Sequence, residues 1–370
     1  MDLLVAGLGP GGCAAALAAR AEGLSTLAVD ARGAQATRSQ LVLVRPGAQA
    51  ALRQLGLPDI TEGRRTTTIR HVENRLRAAL QGQAPAPPTQ PPPPAAAFEL
   101  CWNTSVVQLE TRGDRVQVTL QDEAGGATRQ VQARHVIDAA GGRLESLGRP
   151  ARKRAGPSHL VVTAEYDTPP WFEGIVGVRD NRSRDLYLLF PTWGRRGVIA
   201  YFDSPPGASC DQGSAAALAE RFAAIAENLA LGPPQQTALA IDVYQRALLK
   251  PNEDRVVPIG DAIGTVDVLL GAGMSTAIED GVDAARRIAA AQRHTSSQRE
   301  LAQTCALSAD LFSRHRAGVH KGRLMLAVRP VLARAWPSAA LPAVARDSVG
   351  PPPLLWPAVR FVFGRRPQAQ

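Results

Sequence analysis

The chain has 370 residues, 45% of them hydrophobic and 20% charged, with a net charge of +9 at neutral pH. That length allows one large domain or two intimately joined ones, and the composition is that of an ordinary globular protein. The positive charge is nearly all arginine spread along the chain, lysine standing only at Lys153, Lys250 and Lys321, and no basic run interleaves with aromatic residues, which argues against nucleic acid as a partner.

Cys13, Cys101, Cys210 and Cys305 lie far apart and form no CxxC or His-paired cluster, so no metal site is expected and a reducing, cytoplasmic setting fits. The N-terminus carries Asp2 where a signal peptide would carry basic residues. No apolar stretch reaches the ~20 residues of a membrane span, so membrane contact is not expected.

Leu3-Leu4-Val5-Ala6 predicts a strand that runs straight into Gly7-Leu8-Gly9-Pro10-Gly11-Gly12, followed by a helix slimmed by Ala14, Ala15 and Ala16. A second apolar run closes on Asp30. This is the order of a dinucleotide-binding βαβ unit: Gly7 for the tight turn, Gly9 for close approach to a pyrophosphate, Gly12 for helix against strand. Pro10 and Gly11 open the helix, whose free N–H groups attract phosphate. Asp30 can accept from the ribose hydroxyls of an adenosine.

Leu41-Val42-Leu43-Val44 is a short apolar run, and Pro46 to Leu57 reads as a helix ending at Gly56. Ile69, Val72, Leu76 and Leu80 predict a helix over 68–80. Residues 84–94 are too rich in proline for helix or central strand and read as an exposed loop. Val106–Glu110, Val116–Leu120 and Val131–Ile137 predict an antiparallel meander that ends in an apolar strand stopped by Gly141-Gly142. Strands follow over 160–166, 186–190, 197–202 and 237–248, with a helix over 214–229. Trp171, Phe172, Tyr187, Phe190, Trp193 and Tyr201 in this block either line an apolar pocket or pack its core.

Arg255-Val256-Val257-Pro258-Ile259 leads into Gly260-Asp261-Ala262, and Gly271-Ala272-Gly273-Met274-Ser275 opens a further helix. A carboxylate at a strand end can hold the polyol part of a nucleotide cofactor, and a helix N-terminus can stabilise charge on a ring that accepts electrons. The fold class is therefore α/β, a Rossmann-like, glutathione-reductase-like cofactor domain over 1–155 and 250–290 with a proline-rich insertion at about 82–97. An inserted antiparallel-sheet substrate domain spans 156–249, and a helical C-terminal region with a proline-rich tail spans 291–370.

Over residues 1–285 the chain resembles FAD-dependent monooxygenases of the para-hydroxybenzoate hydroxylase fold. The resemblance rests on Gly7 to Gly12 with Asp30, Thr37-Arg38-Ser39, Arg45-Pro46-Gly47 through Leu57, Thr68-Ile69-Arg70 and Arg255 to Gly281. It implies FAD, with Asp30, Ala31, Arg32 and Arg38 on its adenosine and pyrophosphate side and Arg70 and Val106 close by. Asp261 would hold the ribityl–pyrophosphate region, and the backbone of Gly273, Met274 and Ser275 would face the flavin ring. It further implies oxygen insertion from dioxygen into an apolar small molecule through a flavin C4a-hydroperoxide, with NADPH or NADH as electron donor, direct or through a flavin reductase.

Five positions depart from the family. Ala140-Gly141 replaces its Asp-Gly pair, Ile263-Gly264 its Ala-His pair, Val268 a proline and Ser275 an asparagine. These point to a divergent branch that receives electrons differently, or to a dehydrogenase, reductase or cyclase of the same fold. A halogenase is disfavoured, since the sequence lacks a tryptophan pair flanking Ile-Pro and an N-terminal lysine. No catalytic residue is assigned, because the cofactor carries the reactive chemistry. His71, His135, His159, His294, His315 and His320 are scattered and read as packed or exposed.

Overall fold

All four residues of β1 (Leu3–Ala6) are buried, as in a parallel strand covered on both faces. β1 pairs in parallel with β2 (Thr26–Asp30) on one side, Leu3 opposite Thr26, and with β9 (His135–Asp138) on the other, Leu3 opposite His135. β5 (Phe98–Trp102) extends the sheet beyond β2 and β15 (Val256–Pro258) beyond β9, giving the order β15-β9-β1-β2-β5, all parallel. This computed structural model describes residues 1–35, 40–57, 60, 66–82, 97–123, 126–141, 154–168, 176–179, 186–192, 195–202, 220–227, 229–234, 239–246, 254–264, 273–294 and 296–335.

Alternation along β1 divides the core in two. Leu3 and Val5 join Ala28, Ile137 and Val257 in a cluster filled by α1 (Pro10–Ala21), α3 (Ile69–Leu80) and α5 (Gly273–His294). Leu4 and Ala6 face the other way, with Leu27, Val29, Val136 and Val256, onto Val106, Val116, Val118 and Leu120. Those last four belong to β6 (Thr104–Arg112) and β7 (Arg115–Asp122), which with β8 (Thr128–Ala133) form an antiparallel meander.

The main differences from the sequence reading are these. The run Val131–Ile137 is two strands: it breaks at Arg134, whose N–H donates to Met1 O, so β8 stays in the meander while β9 enters the parallel sheet. β5 escapes the reading because it is short and only partly buried at the sheet edge. α2 (Pro46–Gln54) stops before Leu57, and β3 (Leu41–Leu43) pairs antiparallel with β4 (Thr66–Thr68).

Residues 1–157 and 244–322 form one compact unit, and 158–243 with 323–370 form another. The second unit is built on an antiparallel sheet, β11 (Val176–Arg179), β12 (Leu186–Thr192), β13 (Arg196–Phe202), β10 (Arg154–Asp167) and β14 (Leu239–Arg246) in that order. Tyr187 and Phe190 are buried there. The Tyr187 ring meets Phe222 of α4 (220–227) edge-on at 5.9 Å, and its hydroxyl accepts from Arg221 Nη1 at 3.2 Å. These two aromatics therefore pack a core; Trp171, Phe172 and Trp193 lie outside the described residues.

In the first unit α6 (Ser297–Ala335) brings Glu300, Thr304, Leu307, Leu311 and His315 into the interior. His135 is fully buried, with Gln292 Nε2 donating to its Nδ1 at 3.1 Å and Thr304 Oγ1 3.0 Å from its Nε2. Burial, then the neighbouring Arg255 and Arg134, hold its pKa down at about 3. The folded state thus keeps this ring neutral where the unfolded chain protonates it, near pH 6.5. Stability is complete above pH 6.5 and is lost as the pH falls toward 3, at about 1.4 kcal/mol per unit from this group. Urea unfolding across that range is expected to show a shallower acid slope in His135→Asn.

Candidate functional site

The turn after β1 is fixed by two backbone donations: Gly7 N–H to Val29 O at 2.8 Å and Leu8 N–H to Asp30 Oδ2 at 2.7 Å. Gly7 has φ +95°, and a Cβ there would lie 2.7 Å from Ala140 Cα. A Cβ on Gly12 would overlap the Gly7 carbonyl oxygen. Gly9 is different. Its Cβ would meet nothing nearer than Glu73 Oε1 at 3.9 Å and Arg32 Nη2 at 4.0 Å, so the protein leaves a cradle that a side chain would fill. Gly9 is the N-cap of α1, Pro10 follows, and neither a capping side chain nor a first-turn acid neutralises the end of the helix. The cradle has the shape and polarity to hold a phosphate.

Asp30 closes β2 beside this turn. Its Oδ1 accepts from Arg32 N at 2.8 Å and Nε at 3.0 Å, and its Oδ2 from Leu8 N and from Arg32 Nη2 at 2.9 Å. Burial pushes the carboxyl up, but the Arg32 bonds and the Leu8 amide outweigh it and hold the group below the usual aspartate value. A carboxylate has about four acceptor positions, and Arg32 occupies three. A ribose can bind Asp30 only if the Arg32 fork turns away, which its partly exposed side chain permits.

Two residues that the sequence reading missed shape the same end. Arg77 is buried on α3 and donates to Gly33 O (3.1 Å), Ala34 O (3.0 Å) and Leu8 O (3.3 Å), tying the loop after β2 to the glycine turn. Its guanidinium lies 4.9 Å from the Trp102 ring centroid. Glu73, one turn earlier, is buried beside Arg32 and Arg77. A signal was present in the sequence: an i,i+4 Glu–Arg pair next to the apolar stripe of α3.

The second segment is brought alongside the first. β15 delivers Gly260–Ala262, a single 3₁₀ turn, at the end of the parallel sheet, and Gly260 (φ +56°) has no room for a Cβ against Ala277. α1 and α5 touch backbone to backbone: a Cβ on Gly11 would sit 2.8 Å from Ala277 O, and one on Gly281 would overlap Gly11 O. Asp261 is exposed, with Oδ1 3.6 Å from where a Gly273 Cβ would stand at the start of α5. Met274 and Ser275 are buried. The Ser275 hydroxyl donates to Leu43 O at 2.7 Å and accepts from Arg45 N at 2.9 Å, binding α5 to the β3–α2 junction. Arg45 Nη2 donates to Thr276 Oγ1 at 2.8 Å, while its Nε is buried with no hydrogen-bond partner among the described residues. The unsatisfied Arg45 donor stands at the start of α2 and the open glycine cradle at the start of α1.

Residues 94–306 match the model of a family described as FAD binding domain. The chain belongs to this FAD binding domain family. It is thus an FAD-dependent oxidoreductase, and its fold is that of the group A flavoprotein monooxygenases. The family match begins after the glycine turn, so the part of that turn rests on its geometry. PqsL of P. aeruginosa, solved in complex with 2-aminobenzoylacetate, is 17% identical with a TM-score of 0.65 over 89% of this chain and 96% of that one. The p-nitrophenol 4-monooxygenase PnpA from Pseudomonas putida is 17% identical with a TM-score of 0.63, covering 98% and 93%. CmlS, a flavin-dependent halogenase, is also 17% identical with a TM-score of 0.63, covering 98% and 70%. No curated protein matches the sequence.

The remaining expected FAD residues fall in different places. Ala31 and Arg32 follow Asp30 at the turn, and Arg70 stands half-buried in the first turn of α3. Val106 is buried in the meander cluster with Leu4, Ala6, Leu27 and Val29, which leaves only its backbone for a cofactor. Arg38, Val268, the proline-rich stretch at 84–94 and the C-terminal tail lie outside the described residues. Among the described residues no cluster of His, Cys, Asp and Glu could hold a metal ion, and no helix is long and apolar enough to cross a membrane.

Proposed function

We propose that this protein is an FAD-dependent monooxygenase that inserts one oxygen atom from dioxygen into an apolar small molecule, by hydroxylation or epoxidation. The observation that carries this reading is the backbone contact of α1 with α5 at Gly11 with Ala277 and Gly281, beside which Gly260 packs on the same Ala277 and Asp261 stands at the start of α5. FAD, when bound, supplies the two-electron redox chemistry and the reaction with dioxygen.

The chain binds and orients. The amides opening α1 take the pyrophosphate, and Arg32, on leaving Asp30, carries its charge toward the same cradle. Asp30 then accepts from a ribose hydroxyl. Asp261 holds the ribityl–pyrophosphate portion. The N-terminus of α5, which has no acid in its first turn, stabilises negative charge on the ring through the backbone of Gly273, Met274 and Ser275.

NADPH or NADH is the electron source. One feature favours delivery through a separate flavin reductase: Ala140 stands where the family carries an acid. Asp138, two residues earlier, is buried and accepts from Ala140 N at 3.2 Å within its own turn. The test is a visible spectrum of the purified protein, followed by NADH or NADPH in air with apolar candidate substrates. Yellow protein with substrate-stimulated oxygen uptake is the expected result, with bleaching faster when a flavin reductase is added. Oxygen-independent turnover would transfer the reading to a dehydrogenase, reductase or cyclase. Colourless protein that cannot be reconstituted with FAD would overturn it.

A further inference from the structure

His315 lies on α6, far along the chain from either cofactor segment, and its side chain is completely buried. Its Nε2 is 2.7 Å from Asp280 Oδ2 and its Nδ1 is 3.2 Å from Gly264 O. The same Asp280 oxygen accepts from Gly260 N–H at 3.3 Å. One imidazole therefore reaches both ends of the 260–264 segment: the first residue through Asp280, the last directly. Both oxygens facing the ring are acceptors, so the ring lies between two sites to which an imidazole N–H can donate. Arg314 Nη1 also stands beside this carboxylate, 3.9 Å from Asp280 Oδ1.

The segment that His315 closes is the one that presents Asp261. Its backbone bonds are those of a single turn: Ala262 N–H to Ile259 O at 3.0 Å, Ile263 N–H to Gly260 O at 2.9 Å, and a long 3.5 Å bond from Gly264 N–H to Gly260 O. A 3₁₀ turn of three residues has weak bonds of its own and takes its geometry from what surrounds it. Gly260 adds a left-handed conformation that the turn must hold. Packing alone does not require a polar ring here. Asp280 could cap Gly260 without it, and the Gly264 carbonyl would then be left buried without this donor.

We propose that His315 is a positioning residue: by bridging Asp280 and the Gly264 carbonyl it holds the 260–264 turn in the shape that presents Asp261 to the cofactor. The inference rests on the FAD reading for what Asp261 meets, but the clamp itself is a property of the free protein. Hydrogen–deuterium exchange on the full-length chain without FAD tests it. In His315→Ala, the peptide spanning 256–264 is expected to exchange about tenfold faster, while the peptide spanning 1–30 keeps its wild-type rate. FAD titration should show affinity weakened about tenfold, or ~1.4 kcal/mol, and the bound flavin should lose the resolved shoulders of its visible band.

His315→Gln keeps donors and polarity, but its single carboxamide cannot span both acceptors, so exchange and affinity should fall between alanine and wild type. It also carries the test if the alanine variant does not fold. An even rise of exchange over both peptides, or wild-type exchange at 256–264 in both variants, would overturn the proposal by reducing His315 to a packing residue. A wild-type chain that takes up no FAD would sink the functional reading, and the exchange comparison would still decide the clamp.

Discussion

Gly9→Val is expected to strip the protein of FAD, weakening its binding at least a hundredfold, or about 2.7 kcal/mol. The thermal midpoint should stay within about 2 °C of wild type. The asymmetry comes from the cradle. Gly9 has φ −70°, which any residue adopts, and its Cβ direction opens on the ends of the Glu73 and Arg32 side chains. Valine there meets no backbone, yet it fills the space that a pyrophosphate needs. Gly12→Ala is the contrasting case. Its Cβ would overlap the Gly7 carbonyl oxygen and stand 3.0 Å from Ala139 Cβ, so β1, α1 and β9 must separate. Overpacking of that kind costs about 3 kcal/mol, which for a chain of this length corresponds to a midpoint lower by about 4 °C. FAD retained by Gly9→Val, measured as flavin absorbance after gel filtration, would show that the cradle is not the phosphate site.

The first βαβ unit is legible in the sequence because three local signals agree: apolar strands, glycine spacing and an acid at the strand end. The parallel strand before Asp138 is visible as an apolar run but not as a separate element, because nothing local marks the break at Arg134. That break is set by the Met1 carbonyl, at the far end of the chain. The site shows the same division. Asp261 and Gly273 can be nominated from their glycine-rich context, since a turn and a helix start have local chemistry. His315 cannot, and Arg77 carries only the faint local mark of its i,i+4 spacing from Glu73. Each is a polar residue on a helix whose partners come from distant segments: Arg77 reaches Leu8 and Gly33, His315 reaches Gly264. A histidine on a helical face reads as packed or exposed until its partners are placed. Asp30 marks a further limit. Its position is readable from spacing, but its engagement by Arg32 is a property of side-chain geometry two residues on.

Glu300→Ala should cost about 3–5 kcal/mol. Glu300 lies in the first turn of α6 and is buried against two guanidinium groups and the neutral His135 ring. Arg134 Nη2 lies 2.6 Å from its Oε2, while Arg255 Nη1 is 3.3 Å and His135 Nδ1 3.4 Å from its Oε1. Arg255 is itself buried, and its other donations go to the Ser297 carbonyl at 3.2 Å and hydroxyl at 2.7 Å. Removing the carboxylate leaves that guanidinium without its counter-charge in a low-dielectric interior, which costs far more than the loss of a surface pair. The same logic predicts partial recovery in the double variant Glu300→Leu with Arg255→Met, because the orphaned cation is gone and apolar side chains fill the space. Urea midpoints of the two singles and the double, taken near pH 8 where His135 is neutral in the folded and unfolded chain alike, give the coupling directly. A single variant that unfolds at the wild-type midpoint would mean that water reaches Arg255, and that the α6 start is held by its apolar face alone.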